Sequence, residues 1–153
     1  MKKKNLLVVV VVSLSLMGCM FTKDISGRAD YAHVIGAKYA LNRDCYVLRD
    51  VDQEKSILVG SPDCVKGVPE DVGPQYINHR FGEFIILGVL KKGAVFTIVG
   101  AEEEKSPVQT AVYLKATFED SLFKGRIVDV FLLTDTIKSP PVFDTNLVSQ
   151  LSN

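Results

Sequence analysis

The chain is poor in the residues that usually carry chemistry. Its 153 residues include two histidines, His33 and His79, and three cysteines. No His-x-x-x-His or Cys-x-x-Cys spacing and no carboxylate-rich calcium loop occurs, so nothing reads as a metal site. There is no Gly-rich phosphate loop and no Gly-x-Ser-x-Gly elbow. Gly88, Gly93 and Gly100 fall in or beside apolar β-rich runs, where bends account for them. A catalytic site needs a nucleophile, a base, and a metal or oxyanion donors in one constellation, and the sequence offers no such set, nor any cofactor motif. Long apolar runs are missing too. The stretch from Leu6 to Leu16, broken only by Ser13 and Ser15, has about 11 residues, against the roughly 20 of a spanning helix. No basic patch argues for nucleic acid, and no internal repeat or low-complexity tract appears.

The first residues are informative. Met1-Lys2-Lys3-Lys4 precedes the apolar run, which ends in Leu16-Met17-Gly18-Cys19. A positive n-region, a short apolar h-region and small residues at the cut are the parts of a secretion signal, so residues 1–18 read as a signal peptide. The stretch Leu16-Met17-Gly18-Cys19 resembles the lipobox of bacterial lipoproteins. That resemblance implies diacylglycerol on the Cys19 thiol, cleavage at Gly18-Cys19 and acylation of the new amino terminus. The alternative is an ordinary signal peptide with a chance cysteine near its end. Each buried methylene contributes about 0.8 kcal/mol, so two or three acyl chains anchor stably where one would be marginal. By the same resemblance, Met20 is not the Asp associated with inner-membrane retention. The expected location is the periplasmic face of the outer membrane in a two-membrane host, and otherwise the extracytoplasmic face of the cell membrane.

From Cys19 onward 135 residues remain, one domain's worth. Lys2, Lys3 and Lys4 leave with the signal, so 15 basic residues face 18 acidic ones, a formal charge of −3. Glu102-Glu103-Glu104, followed by Lys105, Ser106 and Pro107, reads as a solvated turn rather than a metal site. Cys45 and Cys64 are expected to form a disulfide in an oxidising compartment. Closing a loop of about 20 residues stabilises by roughly 3 kcal/mol in the chain-entropy model. The alternative is a Cys/His nucleophile pair with His33 or His79, although neither cysteine lies in a cysteine-hydrolase signature.

Residues 19–32 are mixed and polar and read as a lipidated tether, with the β domain over 33–138 and a tail over 139–153. Glu83 to Leu90 and Ala94 to Val99, separated by Lys91-Lys92-Gly93, read as a hairpin. In Thr110 to Phe118, Val112, Leu114, Ala116 and Phe118 alternate with more polar residues. In Arg126 to Leu133, Val128, Val130 and Leu132 share one face. Asp129 falls on the other face, an outward acid rather than a lone buried one. Glu119 to Gly125 supplies the turn between these two strands. Cys45 to Arg49 and Ser56 to Val59 read as short strands around the acidic turn Asp50 to Glu54. Ser61 to Phe81, with Pro62, Gly67, Pro69, Gly73 and Pro74, reads as a long loop. After Pro140-Pro141, residues Asp144 to Leu151 suit a capped helical turn or a frayed end.

Short strands with little helical periodicity predict a mainly β fold, a small single-domain barrel or sandwich. Leu87-Gly88-Val89-Leu90-Lys91-Lys92-Gly93-Ala94-Val95-Phe96-Thr97-Ile98-Val99 resembles the strand-turn-strand of bacterial SH3-like domains, which ranks an SH3-like barrel above a sandwich. The resemblance implies peptide or peptidoglycan binding. Tyr76, Asn78, His79 and Arg80 form the candidate binding surface, because aromatic and Arg side chains combine contact area with directed hydrogen bonds. The other reading makes Tyr76 and Phe81 core residues, with Asn78, His79 and Arg80 solvated. The expected protein is therefore a non-catalytic, membrane-anchored module for an envelope protein or peptidoglycan. The alternatives are an inhibitor or immunity protein against an envelope-acting toxin, or a wall hydrolase using His79 with Asp71 or Glu83. Thiol alkylation of the mature, denatured chain checks the disulfide: Cys45 and Cys64 are expected to stay unlabelled until a reductant is added.

Overall fold

A computed structural model describes residues 21–52, 56–63, 65–106, 110–119, 123–135 and 142–152. Residues 1–18, which were read as a signal peptide, and Cys19, Cys64, Pro107 and Pro140-Pro141 lie outside the described residues. The fold is mainly β, as the strand pattern predicts. The strands are β1 (Phe21–Asp24), β2 (Lys38–Leu41), β3 (Cys45–Asp50), β4 (Ile57–Gly60), β5 (Arg80–Phe81) and β6 (Phe84–Leu90). After them come β7 (Val95–Lys105), β8 (Thr110–Phe118), β9 (Ile127–Phe131), β10 (Leu133–Asp135), β11 (Val142–Phe143) and β12 (Val148–Gln150). One sheet runs β12-β2-β7-β8-β9-β4-β3-β6-β5 and curls into a half-barrel, with β1 added on β7; β10 and β11 pair separately.

The two runs flanking Lys91-Lys92-Gly93 are strands, but they are not a hairpin. β6 pairs with β3 and β7 pairs with β2, both antiparallel. Ala40 faces Val95 and Cys45 faces Leu90, so residues 41–44 and 91–94 span the gap without slipping the register. Residues 38–50 and 84–97 thus form one long ribbon that turns a corner, the way strands pass between packed sheets. Backbone N–H groups of Leu41 and Gly93 donate to the carbonyls of Ala94 and Leu41, at 3.0 and 2.8 Å, and hold the bend. Asp44 accepts from the Lys92 N–H at 2.8 Å and from Lys91 Nζ at 2.7 Å. Gly93 has φ 90°, a conformation costly for any side chain. A Gly-containing triplet allows a reversal or a bend; here the partner strand comes from upstream.

β3 explains the two cores. Cys45 and Val47 point into the main core with Phe96, Ile98, Leu114 and Val130, whereas Tyr46 and Leu48 point into a second core. All four are fully buried, because a loop covers the face of the sheet that would otherwise meet solvent. That loop is the predicted stretch 61–81, and Val65, Val68, Val72, Tyr76 and Phe81 are its contribution to the second core. Each such apolar side chain stabilises by roughly 1.5–3 kcal/mol when fully buried. A bulge in β6 keeps both faces apolar: Val47 faces Gly88 and Leu48 faces Ile86, which leaves Leu87 extra.

The two ends of the chain depart from expectation. The stretch read as a tether belongs to the fold, since Phe21–Asp24 pairs with Glu102–Lys105 and Ile25 and Tyr31 are buried in the main core. All four β1 side chains are exposed, so no alternation marks the strand in the sequence. At the other end Asn146 N–H donates to Asp144 Oδ1 at 2.8 Å in a tight turn. Val148–Gln150 then pairs with β2, with Leu147 and Val148 buried, so the tail ends in an edge strand and not in a helix. The β8 and β9 pairing and the β3 and β4 pairing are as predicted. Tyr31→Ala is expected to lower stability by about 3–5 kcal/mol in urea unfolding, the range of buried aromatic truncations; a true tether residue would change nothing.

Candidate functional site

The face of β7, β8 and β9 opposite the main core carries a groove of about 810 Å³. That is within the range of ligand sites, about 300–1,000 Å³. Strand alternation builds it: Tyr113 and Lys115 from β8, Ile127, Asp129 and Phe131 from β9, and Glu102 and Glu104 from β7. Thr22 closes one end. Asp50 and Asp52 at the end of β3, with Glu83 and Phe84 from the β5–β6 turn, close the other. Phe81 faces Phe84 across that turn, and Gly82 adopts φ 58°, as the first position of a two-residue hairpin turn requires.

The acidic run Glu102-Glu103-Glu104, read as a solvated turn, is strand, held between β1 and β8. Ile98 faces Ala116 while Gly100 faces Lys115, so Val99 is an extra residue. Phe96 and Ile98 point into the core before this bulge; after it Ala101 does. One inserted residue exchanges the faces of everything that follows. Glu102 and Glu104 therefore reach the groove. Glu103, on the other face, is 3.0 Å from Lys105 Nζ and 3.8 Å from an Arg28 nitrogen.

Lys115 is the centre of the groove. Its Nζ lies 2.6 Å from Asp129 Oδ1 and 3.0 Å from Glu102 Oε2, tying three adjacent strands together. Ser56 Oγ donates to Asp129 Oδ2 at 3.2 Å. Asp129 does sit on the outward face, but it is largely covered, with a side-chain exposure of 14%. Burial works against the Lys115 ammonium. Its hydrogen bonds to Asp129 and Glu102 and their charges outweigh burial and raise its pKa above the ordinary lysine value of 10.5. The amine stays protonated at neutral pH, which suits a structural cation and not a nucleophile. Burial, with the Glu104 and Asp129 charges, raises the pKa of Tyr113, so its hydroxyl remains a donor.

Six carboxylates line the groove against this one ammonium. Asp52, Glu83 and Glu104 make no ion pair among the described residues. Ile57, Leu58, Phe84, Ile127 and Phe131 supply apolar surface between them. Such a groove can hold cations that carry apolar stems. Among the described residues, no group of three His, Cys, Asp or Glu side chains is placed to hold a metal ion.

The predicted surface lies elsewhere, on the loop that leads into β5. Tyr76 is half-buried, edge-on to Phe81 at 5.7 Å, and its hydroxyl donates to the Asp71 carboxylate at 2.9 Å. Asn78, His79 and Arg80 are exposed, Asn78 at φ 67°, and Arg80 Nε donates to the Gly82 carbonyl at 2.9 Å. The His79 imidazole makes no hydrogen bond to Asp71 or Glu83. Cys45 is buried in the main core, and both histidines are exposed. Arg43, two residues before Cys45, pairs with Asp63, which precedes Cys64. The groove residues come from strands far apart in the chain, so no local motif announces them; the only sequence signal was the acidic run.

Comparison with protein-family models, curated proteins and solved structures finds no match to this chain. Lys115→Met leaves Asp129 largely covered without its cation. A loss of about 2 kcal/mol is expected, below the roughly 3–5 kcal/mol of a fully buried pair. Replacing Asp129 by Leu as well should restore most of it. Folding raises the Lys115 pKa, so the contribution is whole at neutral pH and is lost as pH rises through that raised value, above 10.5. Urea unfolding at pH 7 and above pH 11 checks both points.

Proposed function

We propose that this chain is a lipid-anchored extracytoplasmic binding module, held to the membrane through Cys19, whose acidic groove takes a basic segment of an envelope protein. The observation that carries the reading is the groove's composition, six carboxylates around one already paired ammonium, with apolar residues between them. Lys and Arg fit such a surface, because their stems lie on apolar side chains while their heads reach carboxylates. An outer-membrane, periplasm-facing location in a two-membrane host follows from the lipobox resemblance. No cofactor is called for, and a carboxylate-lined groove repels nucleic-acid phosphates. An inhibitor or immunity role is the form this takes when the partner is an envelope-acting toxin. For a hydrolase built on His79, neither Asp71 nor Glu83 hydrogen-bonds the imidazole.

The groove and the Tyr76, Asn78, His79, Arg80 surface make opposite predictions in cells. Cross-linking of the full lipoprotein is expected to capture one dominant protein. Glu83→Lys combined with Glu104→Lys should abolish that capture, whereas Tyr76→Ala, His79→Ala and Arg80→Ala together should leave it. Capture of the purified pair should weaken by about tenfold or more between low and 0.5 M salt, as exposed charge pairs are screened. The converse mutant pattern would move the site to the 76–80 loop, and capture of muropeptides alone would replace the protein partner by peptidoglycan.

A further inference from the structure

The direction of β1 bears on how the domain meets its membrane, and this inference rests on the reading that Cys19 is lipidated. Only Met20 separates Cys19 from Phe21, so their Cα atoms are at most about 7 Å apart. From Phe21 the chain is committed to the sheet: Phe21 to Asp24 face Lys105 to Glu102, and Ile25 N–H donates to the Ala101 carbonyl at 2.9 Å. Ser26 Oγ accepts from the Ala101 N–H at 2.9 Å and so pins the end of the strand. A lipid on Cys19 therefore has no long spacer, and the end of the sheet that carries Phe21 and Lys105 must lie at the headgroups.

The two faces of that end differ in chemistry. Phe21 and Lys23 point to one side, in register with Lys105 and Glu103; Thr22 and Asp24 point to the other, in register with Glu104 and Glu102. Phe21 is 68% exposed, the most exposed of the large hydrophobic side chains described. Lys23 makes no ion pair among the described residues, and the Lys105 side chain is 59% exposed. An aromatic ring flanked by lysines suits the bilayer interface, where the ring enters the acyl boundary and the amines reach lipid phosphates. The carboxylates on the opposite face are repelled by the same phosphates.

We propose that the face bearing Phe21, Lys23 and Lys105 lies on the bilayer that holds the Cys19 acyl chains, turning the acidic groove away from the lipid and toward the compartment. Phe21 then acts as a second, non-covalent anchor that sets orientation. The groove opens to a partner approaching from the aqueous side, and its Thr22 and Glu104 end stays close to the membrane.

The chain contains no tryptophan, so a single introduced one reports position without background. Full-length lipoprotein carrying Phe21→Trp is reconstituted into phosphatidylethanolamine and phosphatidylglycerol vesicles, with and without brominated acyl chains. Blue-shifted emission and strong quenching by the brominated lipid are expected. The matching Ile127→Trp protein, substituted at a groove residue that is 63% exposed, should emit as in water and stay unquenched. Adding Lys23→Glu and Lys105→Glu to the first variant should reduce its quenching. The mass of the amino-terminal peptide scores acylation independently on each sample. An acylated chain in which Phe21→Trp is no more quenched than Ile127→Trp overturns the orientation alone. A chain with no acyl group at Cys19 overturns the lipoprotein reading and this inference with it.

Discussion

One antiparallel ribbon, residues 38–50 against 84–97, carries its register unbroken across a corner, and the other elements are placed by it. Its two halves belong to opposite ends of the sheet order, so holding them together curls the sheet around the main core. Phe96, at the centre of that core, stacks on Tyr39 at 5.6 Å and on Phe118 at 5.0 Å. Asp44 neutralises Lys91 and occupies the Lys92 N–H at the bend, where backbone donors would otherwise lose their ladder partners. β7 then extends beyond the ribbon and offers both sides to other strands, β8 on one and β1 on the other.

Two single-residue insertions decide which chemistry faces where. The bulge at Leu87 lets β6 contribute to both cores, while the bulge at Val99 sends Glu102 and Glu104 outward and keeps Ala101 inside. Without the second bulge the strand's alternation would carry Glu102 and Glu104 toward the core, where uncompensated carboxylates are costly. The groove thus depends on an irregularity in the sheet, and so does the core beneath it.

Electrostatically the groove is stable but unfinished. Lys115 compensates Asp129 and Glu102, the pair whose burial or proximity most demands it, and is held protonated by them. The remaining carboxylates repel one another across a shared concavity, a field that a cationic ligand would relieve and that salt would weaken. The β1 end of the sheet is also two-sided, with Phe21, Lys23, Lys105 and the Lys105-paired Glu103 on one face and Thr22, Asp24, Glu102 and Glu104 on the other.

Several elements were legible from residue order alone. Val112 to Phe118 and Val128 to Leu132 are alternating strands because half of each meets the core and half does not. Prolines and glycines between 61 and 81 exclude a long regular element, and Cys45 to Arg49 read as a short strand beside the acidic turn from Asp50 to Glu54. Tyr76, Asn78, His79 and Arg80 stood out because they are neighbours in the chain. Other features depended on tertiary context. β1 shows no apolar alternation, since all four side chains are exposed and only the free side of β7 makes it a strand. Val148–Gln150 is too short to declare its type before β2 pairs with it. Whether Lys91-Lys92-Gly93 reverses the chain or bends it was set by a partner more than 40 residues upstream. The acidic run became a groove wall through a bulge that no residue type requires. By itself the sequence determined which segments are apolar, where they alternate and where they must break, since these are local properties of side chains and backbone. Only the tertiary structure decided the pairings of β1, β6, β7 and β12, the side-chain faces after each bulge and the meeting of Glu102, Lys115 and Asp129, because each depends on partners outside the local segment.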